Sequence, residues 1–338
     1  MHTDIAERFR CLARAAQRRI VFPEGADPRV LEAAATCARE RICEPIVLGP
    51  PDELRSLAAQ AGFSLDGIEL RNPAEQLALD RYAQAYAERR HVDARVAHHI
   101  LRRNLLFGAM IVSTGGADGM VAGATCPSAR VIEAGGLAIG LAPGVSVPSS
   151  IFVMVLPDSW PEEDRVLIYA DASVNIDPTA QQLADIAVTS ARTAQRTLGI
   201  EPRVAMLSCS TKGSAVHPRI DRVVQATRLA QQKAPDILID GELQADSALV
   251  PRVAQYKCPQ SKLAGRANVL IFPDLDAANI AYKLTQYHGR ARAYGPLLQG
   301  FAKPISDLSR GATADDIVTI AAFIGVLAQH QPQAHASA

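Results

Sequence analysis

The chain has 338 residues, of which 48% are hydrophobic, 21% charged and 5% aromatic. This is an ordinary globular composition, and a chain longer than about 250–300 residues usually divides into more than one domain. Lysine plus arginine and aspartate plus glutamate number 35 each, so the formal net charge is zero, which argues against the basic surface that nucleic-acid binding requires.

The cysteines and the N-terminus indicate the cellular compartment. Six cysteines form no CxxC pair and stand near no histidine cluster at zinc spacing, so we expect free thiols and no metal site. The first 19 residues lack the apolar stretch of a secretory signal. The longest dense apolar run, residues 151–157, is far shorter than the roughly 20 residues that span a bilayer. We therefore expect a cytoplasmic protein that has no membrane segment.

Short apolar runs alternate with helical patterns along most of the chain. Strands are predicted at residues 19–24, 44–49, 119–124, 151–157, 166–173, 203–210, 237–242 and 268–275. Long stretches of helical periodicity separate most of them, which is typical of α/β units with mostly parallel sheets. Residues 151–157 and 166–173 are joined only by a short polar loop, which is too short for a crossover helix. We therefore expect this one pair to be antiparallel.

Two helix starts have recognisable capping patterns. Asp177 precedes a proline, and this pair predicts a capping side chain followed by proline at the first helical position. Thr313 stands three residues before Asp316, which resembles a capping box with aspartate in place of the usual glutamate. We expect this second pattern to open the last helix, at about residues 313–328.

The segment SCSTKGSAVHP, residues 208–218, follows a predicted buried strand. In α/β sheets, ligands bind at the carboxyl ends of parallel strands. Hydroxyl groups, a backbone opened by Gly213 and the charge of Lys212 make a plausible phosphate cradle, although the P-loop pattern is absent. A purely structural polar turn between strand and helix explains the same residues equally well.

The segment DLSRGATADDIV, residues 307–318, is the second candidate. Arg310 offers a planar guanidinium suited to phosphate or carboxylate, and Ser309 offers a hydroxyl donor. The structural alternative is that Arg310 pairs with Asp307 while Thr313 and Asp316 cap the helix. Taken alone, the segment favours this structural interpretation.

Taken together, these segments resemble the phosphate acetyltransferase family, which also includes phosphate butyryltransferases. The match runs from about residue 19 to about residue 328. It is carried by VFPEGADPRVL, ADGMVAGAT, SSIFVMVLPD, NIDPTAQQLADIA, EPRVAMLSCSTKGSAVHP, DGELQADSALVP, GRANVLIFPDLDAANIAYK and GPLLQGFAKPISDLSRG. The resemblance implies two α/β domains with a cleft between them, and a homodimer. The first domain would be discontinuous, with residues 1–145 plus 298–338, and the second would comprise residues 146–297.

The resemblance also implies a reaction, in which an acetyl group moves between coenzyme A and inorganic phosphate. The small-molecule partners would be acetyl-CoA, phosphate and acetyl phosphate, with no permanently bound cofactor. The implied catalytic residues are Ser309, Arg310 and Asp316. The residues expected to bind phosphate or acetyl phosphate are Ser210, Thr211, Lys212, Ser214 and Arg310, and those expected to bind coenzyme A are Ser128, Arg130 and Lys283.

The sequence departs from the family pattern at several positions. Glu133 stands where the family has arginine, Cys126 where histidine is common, and Ala245 where phenylalanine is common. These departures leave open a preference for propionyl or butyryl groups.

Two other classes of protein also stay open: a two-domain decarboxylating dehydrogenase, and a non-catalytic regulator that binds acyl-CoA. The absence of GxGxxG and GxSxG patterns argues against a dinucleotide oxidoreductase and against a hydrolase.

Overall fold

A computed structural model describes residues 5–161 and 165–329. The chain separates into two compact units. Unit 1 comprises Met1–Ala142 and Phe301–Ala338, and unit 2 comprises Pro143–Gly300. Each unit is built around its own β-sheet.

The strands, in chain order, are β1 (Arg19–Phe22), β2 (Glu44–Leu48), β3 (Glu69–Arg71), β4 (Gly119–Ala122), β5 (Ser149–Val155), β6 (Val166–Ala170), β7 (Arg203–Leu207), β8 (Leu238–Leu243), β9 (Val269–Ile271), β10 (Arg292–Gln299) and β11 (Ile305–Asp307). The helices are α1 (Ile5–Ala16), α2 (Pro28–Arg39), α3 (Pro51–Ala61), α4 (Gln76–Arg90), α5 (Ala94–Ile100), α6 (Asn104–Ser113), α7 (Ser128–Ala134), α8 (Ala180–Leu198), α9 (Pro218–Lys233), α10 (Ala245–Leu249), α11 (Pro251–Lys257), α12 (Leu275–Lys283) and α13 (Ala314–Gln329).

The sheet of unit 1 has the strand order β11-β4-β1-β2-β3, and every neighbouring pair is parallel. Its inner strands are almost entirely buried, as expected for a parallel sheet that is covered on both faces. β11 and β4 are neighbours, with Asp307 opposite Ala122. The turns that follow these two strands therefore lie at the same edge of the sheet.

The sheet of unit 2 has the order β10-β5-β6-β9-β7-β8. β5 pairs with β6 and with β10 in antiparallel orientation, and the remaining pairs are parallel. The predicted antiparallel pair is therefore confirmed, as is the α/β class with mostly parallel sheets.

Three strands and one helix boundary differ from the sequence prediction. β3, β10 and β11 were not predicted: two of them have only three residues, and β10 lies at the sheet edge and contains a glycine-proline pair. The predicted cap at Asp177 is wrong. Helix α8 begins at Ala180, and its cap is Thr179, which forms a capping box with Gln182. The Asp177 carboxylate pairs with Arg222 instead.

Helix α13 anchors the candidate catalytic segment. Most of its residues are buried, and it packs against α1, α2 and β4. Phe323 meets Phe9 of α1 edge to face, with ring centroids 5.4 Å apart. A helix held this firmly fixes the position of its own N-terminus, where the segment joining β11 to α13 ends.

Candidate active-site residues

The turn between β11 and α13, residues 308–313, carries Ser309 and Arg310. Both residues are exposed. The Ser309 hydroxyl accepts a weak hydrogen bond from the Gly311 amide at 3.3 Å. Among the residues that the structure describes, no carboxylate lies within salt-bridge distance of the Arg310 guanidinium, and the expected alternative pairing with Asp307 is not formed. Arg310 is therefore available to bind an anion from solution.

The capping box predicted for α13 is confirmed. The Asp316 carboxylate accepts hydrogen bonds from the Thr313 amide at 2.9 Å and from its hydroxyl at 2.8 Å. In return, the Asp316 amide donates to the Thr313 hydroxyl at 3.2 Å. Asp316 is exposed, so a ligand has access to its carboxylate, although one of its oxygens already caps the helix.

The turn after β4 forms a nest of amides that is filled by a carboxylate of the same chain. The Glu24 side chain accepts hydrogen bonds from the amides of Gly123, Ala124 and Thr125 at 2.7–2.9 Å, and from the Thr125 hydroxyl at 2.6 Å. Converging backbone amides of this kind bind anions. Here they fix the turn, because Glu24 already occupies them.

Asp307, the last residue of β11, is a buried carboxyl that sequence reasoning did not single out as functional. It is 1% exposed, and one of its oxygens accepts a hydrogen bond from the Ser128 hydroxyl. The other oxygen has no hydrogen-bond partner among the described residues. Burial raises the pKa of Asp307 to about 6, although the Ser128 hydrogen bond opposes the shift. Ser128, predicted to bind coenzyme A, is partly exposed and in this arrangement donates to Asp307.

Cys126 lies in the same region but is not suited to act as a nucleophile. Burial, reinforced by the neighbouring Glu24 carboxylate, raises the pKa of the Cys126 thiol to about 12. The thiolate is the reactive form of cysteine, so a thiol with this pKa is almost entirely protonated at neutral pH.

Arg130 and Glu133, three residues apart on α7, form an ion pair at 3.2 Å. Both side chains are more than half exposed, so the pair itself contributes little to stability. Together with Arg103 they border a pocket of about 400 Å³ whose other lining residues are apolar. The predicted coenzyme A residue Arg130 is thus accessible to a ligand and lies beside a pocket.

The loop after β7 in unit 2, residues 208–215, has most of its polar groups bonded within the protein. The Ser210 hydroxyl and the Gly213 amide both donate to the Glu242 carboxylate, at 2.8 and 2.7 Å. The Thr211 hydroxyl bonds to Gln244 and Ser247. Ser210 and Thr211 are 0% and 5% exposed, so neither side chain presents a surface to a ligand in this arrangement.

The remaining predicted binding residues of unit 2 are exposed. Lys212 pairs with Asp240 and donates to the Gly241 carbonyl, whereas the Ser214 hydroxyl accepts a hydrogen bond from the Thr211 amide at 2.9 Å. Lys283, at the end of α12, lies over the ring of Tyr282, with its Nζ 5.0 Å from the ring centroid. These lysines are within reach of an anion in solution.

Three further observations concern metal ligands, membrane spans and Ala245. Within residues 5–161 and 165–329, no group of three or more His, Cys, Asp or Glu side chains is arranged to hold a metal ion. Over the same residues, every helix is too short or too polar to cross a bilayer. Ala245 is exposed at the start of α10, so it is not a core position.

The chain is similar to known proteins both in sequence and in structure. Residues 4–324 match the family model described as "Phosphate acetyl/butaryl transferase". A phosphate acetyltransferase from Thermoanaerobacterium thermosaccharolyticum is 45% identical over 320 residues, which cover 94% of this chain and 97% of the relative. The solved phosphotransacetylase from Streptococcus pyogenes superposes with a TM-score of 0.92 at 41% identity, covering 96% of this chain and 98% of the other. The EutD phosphotransacetylase from Staphylococcus aureus gives 0.89 at 39% identity, covering 96% and 99%.

Proposed function

We infer that this chain, which belongs to the phosphate acetyl/butyryl transferase family, is an enzyme that moves an acetyl group between coenzyme A and inorganic phosphate. The reaction is acetyl-CoA plus phosphate giving acetyl phosphate plus CoA, and it runs in either direction. The observation that carries the proposal is the exposed Ser309–Arg310 pair, whose guanidinium has no carboxylate partner in the described part of the chain. An arginine left without a carboxylate partner on a fixed turn is suited to a doubly charged phosphate.

In this proposal Arg310 binds the phosphate, and Ser309 stabilises the negative charge that develops on the acyl carbonyl oxygen. The planar guanidinium matches two phosphate oxygens and neutralises charge as the acyl group is transferred. The Ser309 hydroxyl donates a hydrogen bond to the acyl carbonyl oxygen, which becomes an oxyanion in the tetrahedral transition state. Both groups lie on one short turn, so they act on neighbouring atoms.

Asp316 is the proposed base in the direction that forms acetyl-CoA. The CoA thiol, with an ordinary pKa of about 8.5, is only a few per cent thiolate at pH 7, so removal of its proton accelerates the attack. Asp316 takes this proton, the sulfur forms a bond to the acyl carbon, and the carbon–oxygen bond to phosphate breaks. The capping box holds the Asp316 carboxylate in place.

The reaction needs no acyl-enzyme intermediate. We propose that both substrates are bound at once, so that a reaction between two solutes becomes a local step. The residues proposed to bind phosphate or acetyl phosphate are Arg310 in unit 1 and, in unit 2, Lys212 and Ser214, while Ser210 and Thr211 shape the unit 2 loop from within. The residues proposed to bind coenzyme A are Arg130 and Ser128 in unit 1 and Lys283 in unit 2, and the two cationic side chains suit its negatively charged phosphates.

The proposal extends to the setting of the enzyme. We propose that the two units correspond to the predicted domains, residues 1–145 with 298–338 and residues 146–297, and that the protein is a cytoplasmic homodimer without a permanently bound cofactor. A wider acyl preference is the second candidate, because the exposed Ala245 has no bulky side chain that would limit a longer acyl group.

Release of CoA from acetyl-CoA, followed with a thiol reagent in the presence and absence of phosphate, tests the proposed function. We expect release to require phosphate and to be accompanied by stoichiometric acetyl phosphate. Parallel assays with propionyl-CoA and butyryl-CoA measure the acyl preference. Binding of acetyl-CoA without turnover would support the regulator instead, and nicotinamide-dependent oxidation with a divalent metal would support the dehydrogenase.

A further inference from the structure

The guanidinium of Arg29 lies between the two turns at the edge of the unit 1 sheet. Its Nη1 donates to the carbonyl oxygens of Arg310 at 2.9 Å and Ala312 at 2.8 Å, which belong to the turn after β11. Its Nη2 donates to the carbonyl oxygen of Ala124 at 3.2 Å, which belongs to the turn after β4. One side chain therefore connects both turns.

The remaining donors of Arg29 are bonded to Asp27. Nε donates to Asp27 Oδ1 at 3.1 Å and Nη2 donates to Oδ2 at 2.7 Å. A guanidinium carries five N–H groups, and the contacts of Arg29 with Asp27 and with the two turns involve five acceptor oxygens. No N–H of Arg29 is then left for a substrate phosphate, in contrast to Arg310.

Arg29 is itself firmly anchored. It stands in the first turn of α2, and Asp27 caps this helix by accepting a hydrogen bond from the Arg29 amide at 2.9 Å. Burial raises the pKa of the Asp27 carboxyl, but the hydrogen bonds from Arg29 outweigh burial and leave that pKa below its usual value. Asp27 is thus a carboxylate that orients the guanidinium, and α2 packs against α13 and β2.

We propose that Arg29 is a positioning residue for the acyl transfer, which holds the backbone of the Ser309–Arg310 turn and touches no substrate. This inference rests on the proposed function, in which that turn binds the reacting groups. A displacement of a catalytic group by about 1 Å lowers the rate by up to about 10²-fold. Hydrogen bonds that fix the backbone of the Ser309–Arg310 turn therefore affect turnover strongly. Lysine is a poor substitute, because one ammonium cannot supply five donors in a plane.

The test compares Arg29→Met and Arg29→Lys with Arg14→Met. Arg14 is a matched control: its side chain is 37% exposed against 36% for Arg29, and it also donates to a backbone carbonyl and to carboxylates in unit 1. We expect Arg29→Met to lower kcat by about tenfold or more, as imprecise placement of a catalytic group does, while KM for phosphate changes by less than about threefold. Arg29→Lys should recover only a minor part of the rate, and Arg14→Met should stay close to wild type.

A double-mutant cycle with Arg310→Ala separates positioning from direct substrate contact. If Arg29 acts through the turn, adding Arg29→Met to Arg310→Ala should cost much less than Arg29→Met costs alone. If the two losses multiply in full, or if KM for phosphate rises as much as kcat falls, Arg29 contacts phosphate itself and the inference is overturned.

Amide hydrogen exchange supplies a readout that does not depend on activity. Residues 308–313 should exchange faster in Arg29→Lys than in wild type, and Arg14→Lys should leave them unchanged. An inactive wild type would refute the proposed function, and the exchange result would still decide whether Arg29 holds the turn. Unchanged exchange in Arg29→Lys, or wild-type kinetics in Arg29→Met, would overturn the inference.

Discussion

The turn after β11 in unit 1 and the loop after β7 in unit 2 both follow parallel strands, yet their polar side chains are used differently. In unit 1, Ser309 and Arg310 are exposed, and Arg29 holds the backbone from outside the turn. In unit 2, the polar side chains of the loop are themselves bonded to the neighbouring strand β8: Ser210 donates to the buried Glu242, and Lys212 is paired with Asp240.

This difference shows how a fixed loop keeps side chains available for a ligand. In unit 1, an arginine of the neighbouring helix α2 bonds to the backbone of the turn, so the side chains of the turn stay available to bind a ligand. Where the side chains of a loop are already bonded to the surrounding protein, as in unit 2, a ligand must compete with those bonds. We therefore expect single substitutions in the unit 1 turn to cost more activity than those in the unit 2 loop.

The largest effect is expected for Arg310→Ala. Loss of one preorganised charged donor should lower kcat/KM for phosphate-dependent CoA release by on the order of 10²-fold or more. Arg310→Lys should recover little, because lysine lacks the bidentate geometry. Arg55→Ala is the control, since Arg55 is a surface arginine of the same unit paired with Asp52. Near-normal turnover of Arg310→Ala would remove this residue from the mechanism.

The next largest effect on activity is expected for Asp316→Asn, a substitution that distinguishes a role of Asp316 as the catalytic base from its role in capping α13. If Asp316 is the base, the variant should keep its melting temperature, lose rate, and regain rate at higher pH, where more of the CoA thiol is ionised. Asp315→Asn is the matched control, because Asp315 is exposed in the same helical turn. A variant that loses about 1 kcal/mol of stability but retains its activity would restrict Asp316 to capping.

A smaller effect is expected for Lys212→Ala. Its ammonium is already bonded to Asp240 and to the Gly241 carbonyl, so we expect KM for phosphate to rise by less than about tenfold, as for a charge that is partly screened. Lys257→Ala is the control, since Lys257 is similarly exposed and paired with Asp246. If Lys212→Ala proved as damaging as Arg310→Ala, the contrast between the two regions would fail.

Sequence patterns predicted the parts of the fold that depend on local periodicity. Consecutive apolar residues identify buried strands such as β5 and β7. The short connection between β5 and β6, which makes this pair antiparallel, is likewise visible in the local sequence. β11 was not predicted because a strand of three residues is too short to show periodicity. This strand nevertheless positions the turn that carries Ser309 and Arg310.

The candidate site was predicted in part, for a related reason. The pairing of Thr313 with Asp316 is local, so its pattern was visible in the sequence. The contacts of Arg29 with Arg310 join residues 281 positions apart, and the local sequence around Arg29 gives no sign of so distant a partner. The burial of Ser210 likewise depends on Glu242, which reaches the loop from the neighbouring strand β8.

The most direct test of the account is a two-substrate initial-rate experiment on the wild-type enzyme. CoA release is measured while acetyl-CoA and phosphate are both varied, and label exchange between CoA and acetyl-CoA is measured without phosphate. A ternary complex predicts reciprocal plots that intersect, and no exchange in the absence of phosphate. Parallel plots with rapid exchange would show an acyl-enzyme intermediate and would contradict the direct transfer proposed for Ser309, Arg310 and Asp316.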